Sequence, residues 1–407
     1  MAEITIDRLG HHGDGIAEGP VYAALTLPGE VVAGEIVEGR LAAPRILAPS
    51  PDRVAAPCPH FRSCGGCALM HASDGFVARW KTEVIQTALA AHGLAAPMRK
   101  IATSPPRARR RATLAGRRTK KGALVGFHAR RSETIVPIAQ CNVLAPALLA
   151  TLPALEAITR LGASRAGALA LALTLSPSGV DLAVTGGKPL DAGLQAELPR
   201  FADRFLRLTW NGEPVFADAA PVQRFGAATV TPPPGAFLQA TVEGEAALVA
   251  AVQEAAGGAK RIADLFAGCG TFALPLASAA PVHAVEGDAA LLAALGQGAR
   301  HAPGLRPVTT EARDLFRRPL GPEELARFDA VVIDPPRAGA EAQTRALAAA
   351  RVPRIAAVSC NPVTVARDVR LLVAAGYVLD WVQPVDQFRW SAHVELAACF
   401  RLPHMGA

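Results

Sequence analysis

The stretch Asp264-Leu265-Phe266-Ala267-Gly268-Cys269-Gly270-Thr271 decides the fold of this chain. It ends an apolar segment, 261–266, that is typical of a buried strand, and it opens a predicted helix. Its two glycines let the backbone approach a ligand at the amino end of that helix. Glu286 lies 18 residues after Gly268 and ends the next predicted strand, where a carboxylate can bind ribose hydroxyls. The alternative is a tight turn followed by a surface acid.

The glycine pattern lacks the third glycine of the dinucleotide-binding fingerprint. It therefore favours a mononucleoside such as S-adenosylmethionine over NAD as the ligand. From about residue 241 onward, apolar strands alternate with helices, which is typical of a parallel sheet covered on both faces. We predict a doubly wound, Rossmann-like domain over residues 241–407 with strands at 261–266, 282–286, 308–311, 330–334, 355–359, 377–385 and 393–401.

Two acids follow the third and fourth of these predicted strands. Asp314 follows the third strand and is expected near the adenine of the ligand. Asp334 ends the fourth strand and precedes Pro335-Pro336-Arg337. Prolines at the carboxyl end of a strand place a rigid loop over the ligand crevice, so this position is predicted to face the reacting groups.

A cysteine and a glutamate are the candidate reactive groups. Cys360 ends the fifth predicted strand just before a helix, where the pKa of a thiol is lowered and the nucleophilic thiolate is favoured. Glu395 lies in His393-Val394-Glu395, at the start of the last strand, and is a candidate carboxylate base. Taken singly, a free cysteine is more often a small buried apolar residue, and His-Val-Glu is an ordinary strand start.

The rest of the chain predicts two further domains. Residues 1–52 contain short alternating segments separated by Gly-rich or Pro-Gly turns, which is typical of a small β-barrel. Residues 53–240 contain clustered cysteines, a predicted helix at 74–92 and mixed strands and helices, which indicates a central α+β domain. The chain is thus predicted to be an α/β protein of three domains.

The charge distribution suggests a polyanionic partner. The chain has 407 residues, of which 51% are hydrophobic and 19% charged, so it is globular rather than disordered. Its net charge is +7, and residues 99–131 contain twelve Lys or Arg and no Asp or Glu. We predict that this stretch contacts RNA phosphates, which position a nucleic acid without specifying its sequence. The alternative is a solvated charged face.

The sequence predicts a cytoplasmic protein without membrane contact. Its first residues, Met-Ala-Glu-Ile-Thr-Ile-Asp, contain acids where a signal peptide has a basic and then an apolar region. The uncharged run 134–155 reaches membrane-spanning length, but it contains Pro, Gln and Asn residues that would leave polar backbone groups unsatisfied in lipid.

Four cysteines form a candidate metal site: Cys58, Cys64, Cys67 and the distant Cys141. Four thiolates suit either zinc or a [4Fe-4S] cluster, and the spacing alone leaves both open. Disulfides are the weaker alternative in a cytoplasmic chain. The spacing differs from the Cys-x3-Cys-x2-Cys of radical enzymes, so a radical-generating cluster is not expected.

Together these motifs resemble those of the S-adenosylmethionine-dependent RNA uracil C5-methyltransferases. The similarity is strongest to the ribosomal RNA branch of that family, which has an N-terminal TRAM barrel and an iron–sulfur centre. The matching motifs span nearly the whole chain: Leu27-Pro-Gly-Glu30, Cys58-x5-Cys64-Gly-Gly-Cys67 with Cys141, Gly235-x-Phe237-x-Gln239, 264–270, Asp334-Pro-Pro-Arg337, Ser359-Cys-Asn-Pro362 and His393-Val-Glu395.

The resemblance implies methyl transfer to C5 of a uridine in RNA, through a covalent bond between a cysteine and C6. It implies large-subunit (23S) ribosomal RNA rather than transfer RNA, with the target uridine flipped out of a structured loop. It assigns Cys360 as nucleophile, Glu395 as base and a [4Fe-4S] cluster to the four cysteines. It implies contacts with the methyl donor from Gln239, Phe266, Thr271, Glu286, Asp314 and Asp334.

The chain departs from the family pattern at three places. Thr271 stands where Asn is common, Arg389-Trp390-Ser391 replaces a Pro-His-Thr-like segment, and Ala240-Thr241 follows Gln239 in place of the usual pair. These changes concern the donor contacts and the fit of the target loop.

Two other functions fit parts of the sequence. An RNA cytosine C5-methyltransferase is disfavoured, because no second cysteine stands beside Pro335-Pro336. A non-catalytic RNA-binding module is disfavoured, because Cys360 and Glu395 are both present. A monomer is the default expectation, since one chain carries every part that the reaction requires.

Overall fold

The computed structural model describes residues 2–403. The N-terminal part consists of short strands: β1 (Ala2–Thr5), β2 (Arg8–Leu9), β3 (Gly15–Ala17), β4 (Val21–Ala23), β5 (Val31–Gly34), β6 (Ile36–Val37), β7 (Arg40–Leu41) and β8 (Arg45–Ala48). They form a sheet of order β1-β5-β8 and a sheet of order β2-β3-β4-β7-β6. Side chains from both sheets share one core, which includes Ile6, Ala23 and Val32. The predicted strand content is therefore found, and closure into a barrel stays a prediction.

The middle of the chain contains a seven-stranded mixed sheet with helices on it, and three further strands outside that sheet. Its elements are α1 (Asp74–Ala90), β9 (Ala102–Thr103), β10 (Arg111–Arg118), β11 (Ala123–His128), β12 (Ile135–Pro137), α2 (Pro146–Leu149), α3 (Leu152–Gly162), β13 (Leu169–Ser176), β14 (Gly179–Thr185), α4 (Ala192–Glu197), a 3₁₀ turn (Leu198–Phe201), β15 (Arg207–Trp210), β16 (Glu213–Ala217), β17 (Gln223–Phe225) and β18 (Ala228–Val230). The sheet order is β12-β11-β10-β13-β14-β15-β16. Its apolar face packs around the fully buried Trp210.

The last part of the chain alternates helices and strands, as predicted. The elements are α5 (Val242–Ala255), β19 (Ile262–Leu265), α6 (Ala273–Leu276), β20 (Val282–Glu286), α7 (Ala289–His301), β21 (Val308–Ala312), α8 (Pro322–Leu325), β22 (Ala330–Ile333), α9 (Glu341–Ala350), β23 (Arg354–Ser359), α10 (Pro362–Ala374), β24 (Val378–Asp386) and β25 (Glu395–Arg401). The sheet order is β21-β20-β19-β22-β23-β25-β24-β9. Strands β19 to β23 pair in parallel, and β25 runs antiparallel to both of its neighbours.

The direction of β25 decides where the candidate base lies. The carboxyl ends of the parallel strands meet at one edge of the sheet, where ligands of such folds bind. Because β25 is inserted antiparallel between β23 and β24, its first residue lies at that same edge. Ser359 pairs with Leu396, and Val385 pairs with Glu395. Glu395 is thereby brought next to the end of β23, where Cys360 follows.

Segments that precede residue 241 also pack on the C-terminal sheet, and the domain boundaries at residues 52 and 240 stay a prediction. Helix α1 packs against α10 and β24, and β9 adds to the C-terminal sheet by pairing in parallel with β24. Ile85 and Leu89 of α1 belong to the core on that face of the sheet. The ribbon β17–β18 packs into the core on the opposite face. Segments 74–103 and 223–240 thus pack on the C-terminal sheet.

No helix within residues 2–403 combines the length and the apolarity needed to span a bilayer.

Candidate active site at the carboxyl edge of the C-terminal sheet

Glu395 is almost completely enclosed. Its side chain is 3% exposed, and its Oε2 accepts a hydrogen bond from Nε2 of Gln387. Burial raises the pKa of Glu395 to about 8, and the nearby Asp334 carboxylate contributes to this increase. The Gln387 hydrogen bond and the Arg337 guanidinium act in the opposite direction. A carboxyl group with a pKa near neutrality is suited to accept a proton and later return it to solvent.

Two further acids belong to the same group of carboxyls, since Asp334 raises the pKa of both Glu395 and Asp264. Asp334 follows β22, and burial raises its pKa to about 7. Asp264 of β19 is completely buried, and within residues 2–403 no side chain donates a hydrogen bond to its carboxylate, whereas the Ala273 backbone N–H lowers its pKa. Burial, and then the charge of Asp334, raise the pKa of Asp264 well above its ordinary value. A buried carboxyl without a side-chain partner is a candidate ligand contact, and the sequence indicated Asp264 only as part of the motif 264–271.

The environment of Cys360 contradicts the thiol pKa predicted from the sequence. Burial raises the pKa of Cys360, and Glu395 and Asp334 raise it further, whereas Arg337 lowers it. Asn361 is the N-cap of α10, and its side chain accepts the hydrogen bond from the Val363 N–H. The predicted lowering by the helix terminus is therefore wrong for the protein without RNA, because two neighbouring carboxylates and partial burial outweigh it.

Arg337 acts on both candidate groups through its guanidinium, although the sequence did not indicate a role for it. It is the positive charge that faces both Cys360 and Glu395. Its Nη2 donates to Nδ1 of His393 over 2.8 Å, and its carbonyl oxygen accepts from Asn361 Nδ2 and Thr364 Oγ1. Burial, and then Arg337, lower the pKa of His393 to about 4, so this ring is a neutral acceptor.

A hydrogen bond joins the glycine turn to Glu286. Gly268 and Gly270 have φ angles of +55° and +101°, and a Cβ on Gly270 would lie 2.7 Å from the Leu274 side chain. A Cβ on Gly268 would meet nothing within 4 Å, so this position faces open space. The Gly268 N–H donates to Oε2 of Glu286 over 2.9 Å. The 18-residue spacing therefore brings Glu286 to the turn, as the sequence predicted.

An aromatic pair lies beside the glycine turn, since Phe266 directly precedes it in the chain. The rings of Phe266 and Phe316 lie 5.4 Å apart, and Phe316 is 52% exposed. Oδ1 of Asp314 accepts from the Phe316 and Arg317 N–H groups and thereby fixes this loop. Phe316 is a further candidate contact that the sequence did not indicate, since a lone phenylalanine in a loop carries no spacing signal. Thr271 is half-buried at the end of the glycine turn.

Gln239 reaches the site from outside the C-terminal sheet. It is buried, and its Oε1 accepts from Nε2 of Gln387 over 2.5 Å. The Arg110 guanidinium donates to its carbonyl oxygen over 3.1 Å. Phe237, two residues earlier, is 58% exposed, and the Arg111 guanidinium lies 4.4 Å from its ring centroid. Gln239 is therefore linked to Glu395 through a single amide group.

The cysteines of the predicted metal site line one cavity, together with Arg109 and other residues: Cys58, Cys64, Cys67 and Cys141. Burial, and then the other three thiols, raise the pKa of Cys67 to about 12. Among residues 2–403, no three His, Cys, Asp or Glu side chains are arranged to hold a single metal ion. The four thiols converge on one space without forming a compact single-ion site.

Much of the basic stretch is used inside the protein. Arg110 is buried and donates to Glu245 over 2.5 Å, and Arg111 donates to the Leu238 carbonyl over 2.9 Å. Arg130 donates to the Cys67 carbonyl, and Arg131 to Asp14. The prediction of RNA contact therefore applies to the basic side chains that are not used in this way. Four of them lie at or beside the turn between β10 and β11: Arg117, Arg118, Lys120 and Lys121.

The chain was compared with known proteins. Residues 309–401 match the family model described as tRNA (Uracil-5-)-methyltransferase. An uncharacterized RNA methyltransferase of Brucella suis is 45% identical, over 97% of each chain. The 23S rRNA (uracil(1939)-C(5))-methyltransferase RlmD of Chromohalobacter salexigens is 33% identical, over 96% of this chain and 87% of the relative.

A solved structure shares the whole fold. The tRNA (uracil-54, C5)-methyltransferase of Pyrococcus abyssi, in complex with S-adenosyl-L-homocysteine, superposes with a TM-score of 0.78 at 23% identity and covers 98% of this chain and 99% of that one. The resemblance read from the motifs is confirmed by these relatives. The chain belongs to the family of S-adenosylmethionine-dependent RNA uracil C5-methyltransferases.

Proposed function

We propose that this protein transfers a methyl group from S-adenosylmethionine to C5 of a uridine in 23S ribosomal RNA, with Cys360 as nucleophile and Glu395 as base. The observation that carries this assignment is the meeting of Cys360, Glu395, Asp334 and Arg337 at one edge of the sheet. The similarity to RlmD of Chromohalobacter salexigens supports ribosomal RNA as the substrate. Transfer RNA is the second candidate, because it is the substrate of the Pyrococcus abyssi neighbour.

The chemistry follows from the uracil ring, whose C5 is a poor nucleophile until a group adds at C6. The Cys360 thiolate adds to C6, and the negative charge moves to O4 of the resulting enolate. The enolate carbon C5 takes the methyl group and displaces S-adenosylhomocysteine. Arg337 is the cation next to Cys360, so it stabilises the thiolate that must form before the addition.

The second half of the reaction needs a base. The Glu395 carboxylate removes the C5 proton, the electron pair re-forms the C5–C6 double bond, and the Cys360 thiolate leaves. Glu395 then releases the proton to solvent. Asp334, which lies beside Glu395, orients the uracil edge in this proposal.

The methyl donor fits the crevice around the glycine turn. Glu286 would bind the ribose hydroxyls, and the ring of Phe266 with Asp314 would flank the adenine. Gln239 and Thr271 would contact the methionine part of the donor. The open space at Gly268, and a buried Asp264 to which no described side chain donates a hydrogen bond, support a ligand at this turn.

We further propose that Cys58, Cys64, Cys67 and Cys141 hold a [4Fe-4S] cluster. A tetrahedral zinc ion with bonds of about 2.3 Å draws its ligands into a compact set, whereas a cluster holds its cysteines around a larger core. The four thiols line one shared cavity, which supports a common metal centre, and the motif resemblance favours the cluster over zinc. Its role would be structural, because addition and elimination at uracil require no electron transfer. It would join Cys141 to the early cysteines and so hold the intervening basic segment.

The cluster is tested by its spectrum. Anaerobically purified protein should absorb at about 400 nm through thiolate-to-iron charge transfer and contain about four iron atoms per chain. Cys141→Ala should lose this band, and Cys399→Ala, which removes a buried thiol of the C-terminal sheet, should keep it. About one zinc per chain in place of iron would show that the assignment is wrong.

Three surfaces of the protein are candidates for binding RNA. The basic turn between β10 and β11 would contact phosphates, and the N-terminal strands, as a TRAM-like barrel, offer a second surface. The exposed ring of Phe237, backed by Arg111, is placed to stack on a base next to the flipped uridine. The monomeric state and the cytoplasmic location stay predictions.

The target is tested by mapping 5-methyluridine in total RNA from cells with and without this protein. We expect one site in 23S ribosomal RNA to lose the modification when the protein is absent. Loss at a transfer RNA position would support the second candidate. An unchanged map, with correctly folded purified enzyme that methylates neither RNA, would contradict the proposed reaction.

A further inference from the structure

The loop between β24 and β25 carries a buried glutamine whose amide is completely engaged. Gln387 is 1% exposed, and its Oε1 accepts from the Ala240 N–H over 2.6 Å. Its Nε2 donates to Oε1 of Gln239 over 2.5 Å and to Oε2 of Glu395. A backbone N–H can only donate, so the carbonyl side of the amide must face Ala240. The two N–H bonds of Gln387 are therefore committed to Gln239 and Glu395.

This arrangement joins two halves of the proposed site. Gln239 is the proposed contact to the methyl donor, and Glu395 is the proposed base. They lie on different elements, 156 positions apart in the sequence. Their connection through one amide fixes the direction of the Glu395 carboxylate relative to Gln239. Oε1, the other oxygen of the Glu395 carboxylate, takes no part in the hydrogen bond with Gln387.

A buried ion pair holds the loop on both sides of Gln387. Lys81 of α1 and Asp386 are 0% and 1% exposed, and Nζ of Lys81 donates to Oδ1 of Asp386 over 2.5 Å. The same Nζ donates to the Phe388 carbonyl over 3.1 Å, and the Phe388 N–H donates back to Oδ1 of Asp386 over 3.1 Å. The residues before and after Gln387 are thus bound to one ammonium group.

A buried ion pair contributes little net stability to the folded protein. The desolvation of two charges offsets most of their attraction, and well-packed apolar side chains often stabilise a core as well. A charge with several directed hydrogen bonds, however, restricts the loop to one conformation. The Lys81–Asp386 pair is therefore suited to orient Gln387.

We propose that Gln387, held by the Lys81–Asp386 pair, is a positioning residue that fixes the carboxylate of Glu395 relative to the methyl-donor contact Gln239. The inference rests on the proposed role of Glu395 as the base. Methyl transfer and proton removal act on the same carbon of uracil, so the donor residue and the base must be aligned at one time. Gln387 provides this alignment without touching the substrate.

The hydrogen bond from Gln387 also affects when Glu395 is ionised. Three titratable or charged groups from other loops face the carboxyl: Asp334, Arg337 and Cys360. Asp334 raises the pKa of Glu395, whereas Arg337 and the Gln387 hydrogen bond lower it. Removal of the Gln387 amide should therefore raise this pKa above about 8. The charged, proton-accepting form would then appear only at higher pH.

Gln387→Met tests the inference, because methionine fills a similar volume without either hydrogen bond. The rate at which the covalent RNA adduct is resolved in a single turnover should rise with pH at a midpoint about one pH unit above that of the unaltered protein. The dissociation constant of S-adenosylmethionine, measured by calorimetry on protein without RNA, should increase about tenfold as Gln239 loses its partner. Both changes are expected in one variant.

Gln343→Met is the matched control. Gln343 is also 1% exposed and also uses both ends of its amide, on the backbone of Leu320. It should lose a comparable amount of stability and leave both the pH midpoint and the donor affinity unchanged. If Gln387→Met behaves like Gln343→Met in both measurements, the inference is wrong.

The ion pair is tested by a charge-neutral double variant, since Lys81→Met alone would leave a buried unpaired Asp386 and could prevent folding. Lys81→Met combined with Asp386→Asn should shift the pH midpoint in the same direction as Gln387→Met. The single variant Lys81→Arg, which keeps a positive charge beside Asp386, should keep the midpoint of the unaltered protein. A folded double variant with an unchanged midpoint would show that the pair does not position Gln387.

Failure of this inference is distinguishable from failure of the proposed function. If Glu395→Gln blocks adduct resolution and Gln387→Met leaves the midpoint unchanged, only the positioning role is refuted. If Glu395→Gln resolves the adduct at the normal rate, the base itself is wrongly assigned.

Discussion

Cys360→Ala should abolish methyl transfer, with a fall in rate of at least about 10⁴-fold. Without the thiolate, nothing on the enzyme adds to C6, so C5 of uracil stays too weak a nucleophile to accept the methyl group. The side chain is only partly buried, and its truncation should cost about 1 kcal/mol of stability or less. The measurement is transfer of labelled methyl from S-adenosylmethionine to RNA in single turnover, with excess enzyme.

The control separates loss of chemistry from loss of structure. Cys360→Ala should still bind S-adenosylmethionine with the affinity of the unaltered protein, because the proposed donor contacts do not include the thiol. Cys399→Ala, which removes a buried thiol from β25, should keep its activity. Ordinary turnover by a correctly folded Cys360→Ala protein would refute the covalent mechanism.

The C-terminal strands could be predicted from the sequence because each is a short apolar run bounded by turn residues. The predicted strand 282–286 is the observed β20 (Val282–Glu286), and the other strand predictions in this domain differ only at their ends. Parallel strands place their carboxyl ends at a common edge. Locating Asp334 and Cys360 at strand ends was therefore enough to predict that they approach each other.

The position of Glu395 needed one further step. The predicted alternation of strands and helices indicated parallel strands, yet β25 is antiparallel. The segment between β24 and β25, residues 387–394, is too short for the helical crossover that parallel neighbours require. That length was visible in the sequence and could have predicted both the strand direction and the place of Glu395 at the active edge.

The ion-pair partners of the basic stretch 99–131 could not be predicted from that stretch alone. Arg110 pairs with Glu245, 135 positions later, and Arg131 with Asp14, 117 positions earlier. The absence of acids inside the stretch says nothing about acids that the fold brings to it. The same limit explains the pKa of Cys360, since Asp334 and Glu395, the two carboxylates that raise it, come from separate strands.

Glu395→Gln should trap the reaction after methyl transfer. The amide keeps the size of the side chain and can still accept the hydrogen bond of Gln387, but it cannot take the C5 proton. The methylated RNA should remain joined to Cys360, as a complex that survives denaturing electrophoresis, and multiple turnover should fall about 10³-fold. Asp368→Asn, which also neutralises a buried carboxylate but one bound to Arg367 and the Ala340 N–H, should form no such complex. Release of free methylated RNA by Glu395→Gln at the normal rate would assign proton removal to another group, and Asp334, with its pKa of about 7, would be the next candidate.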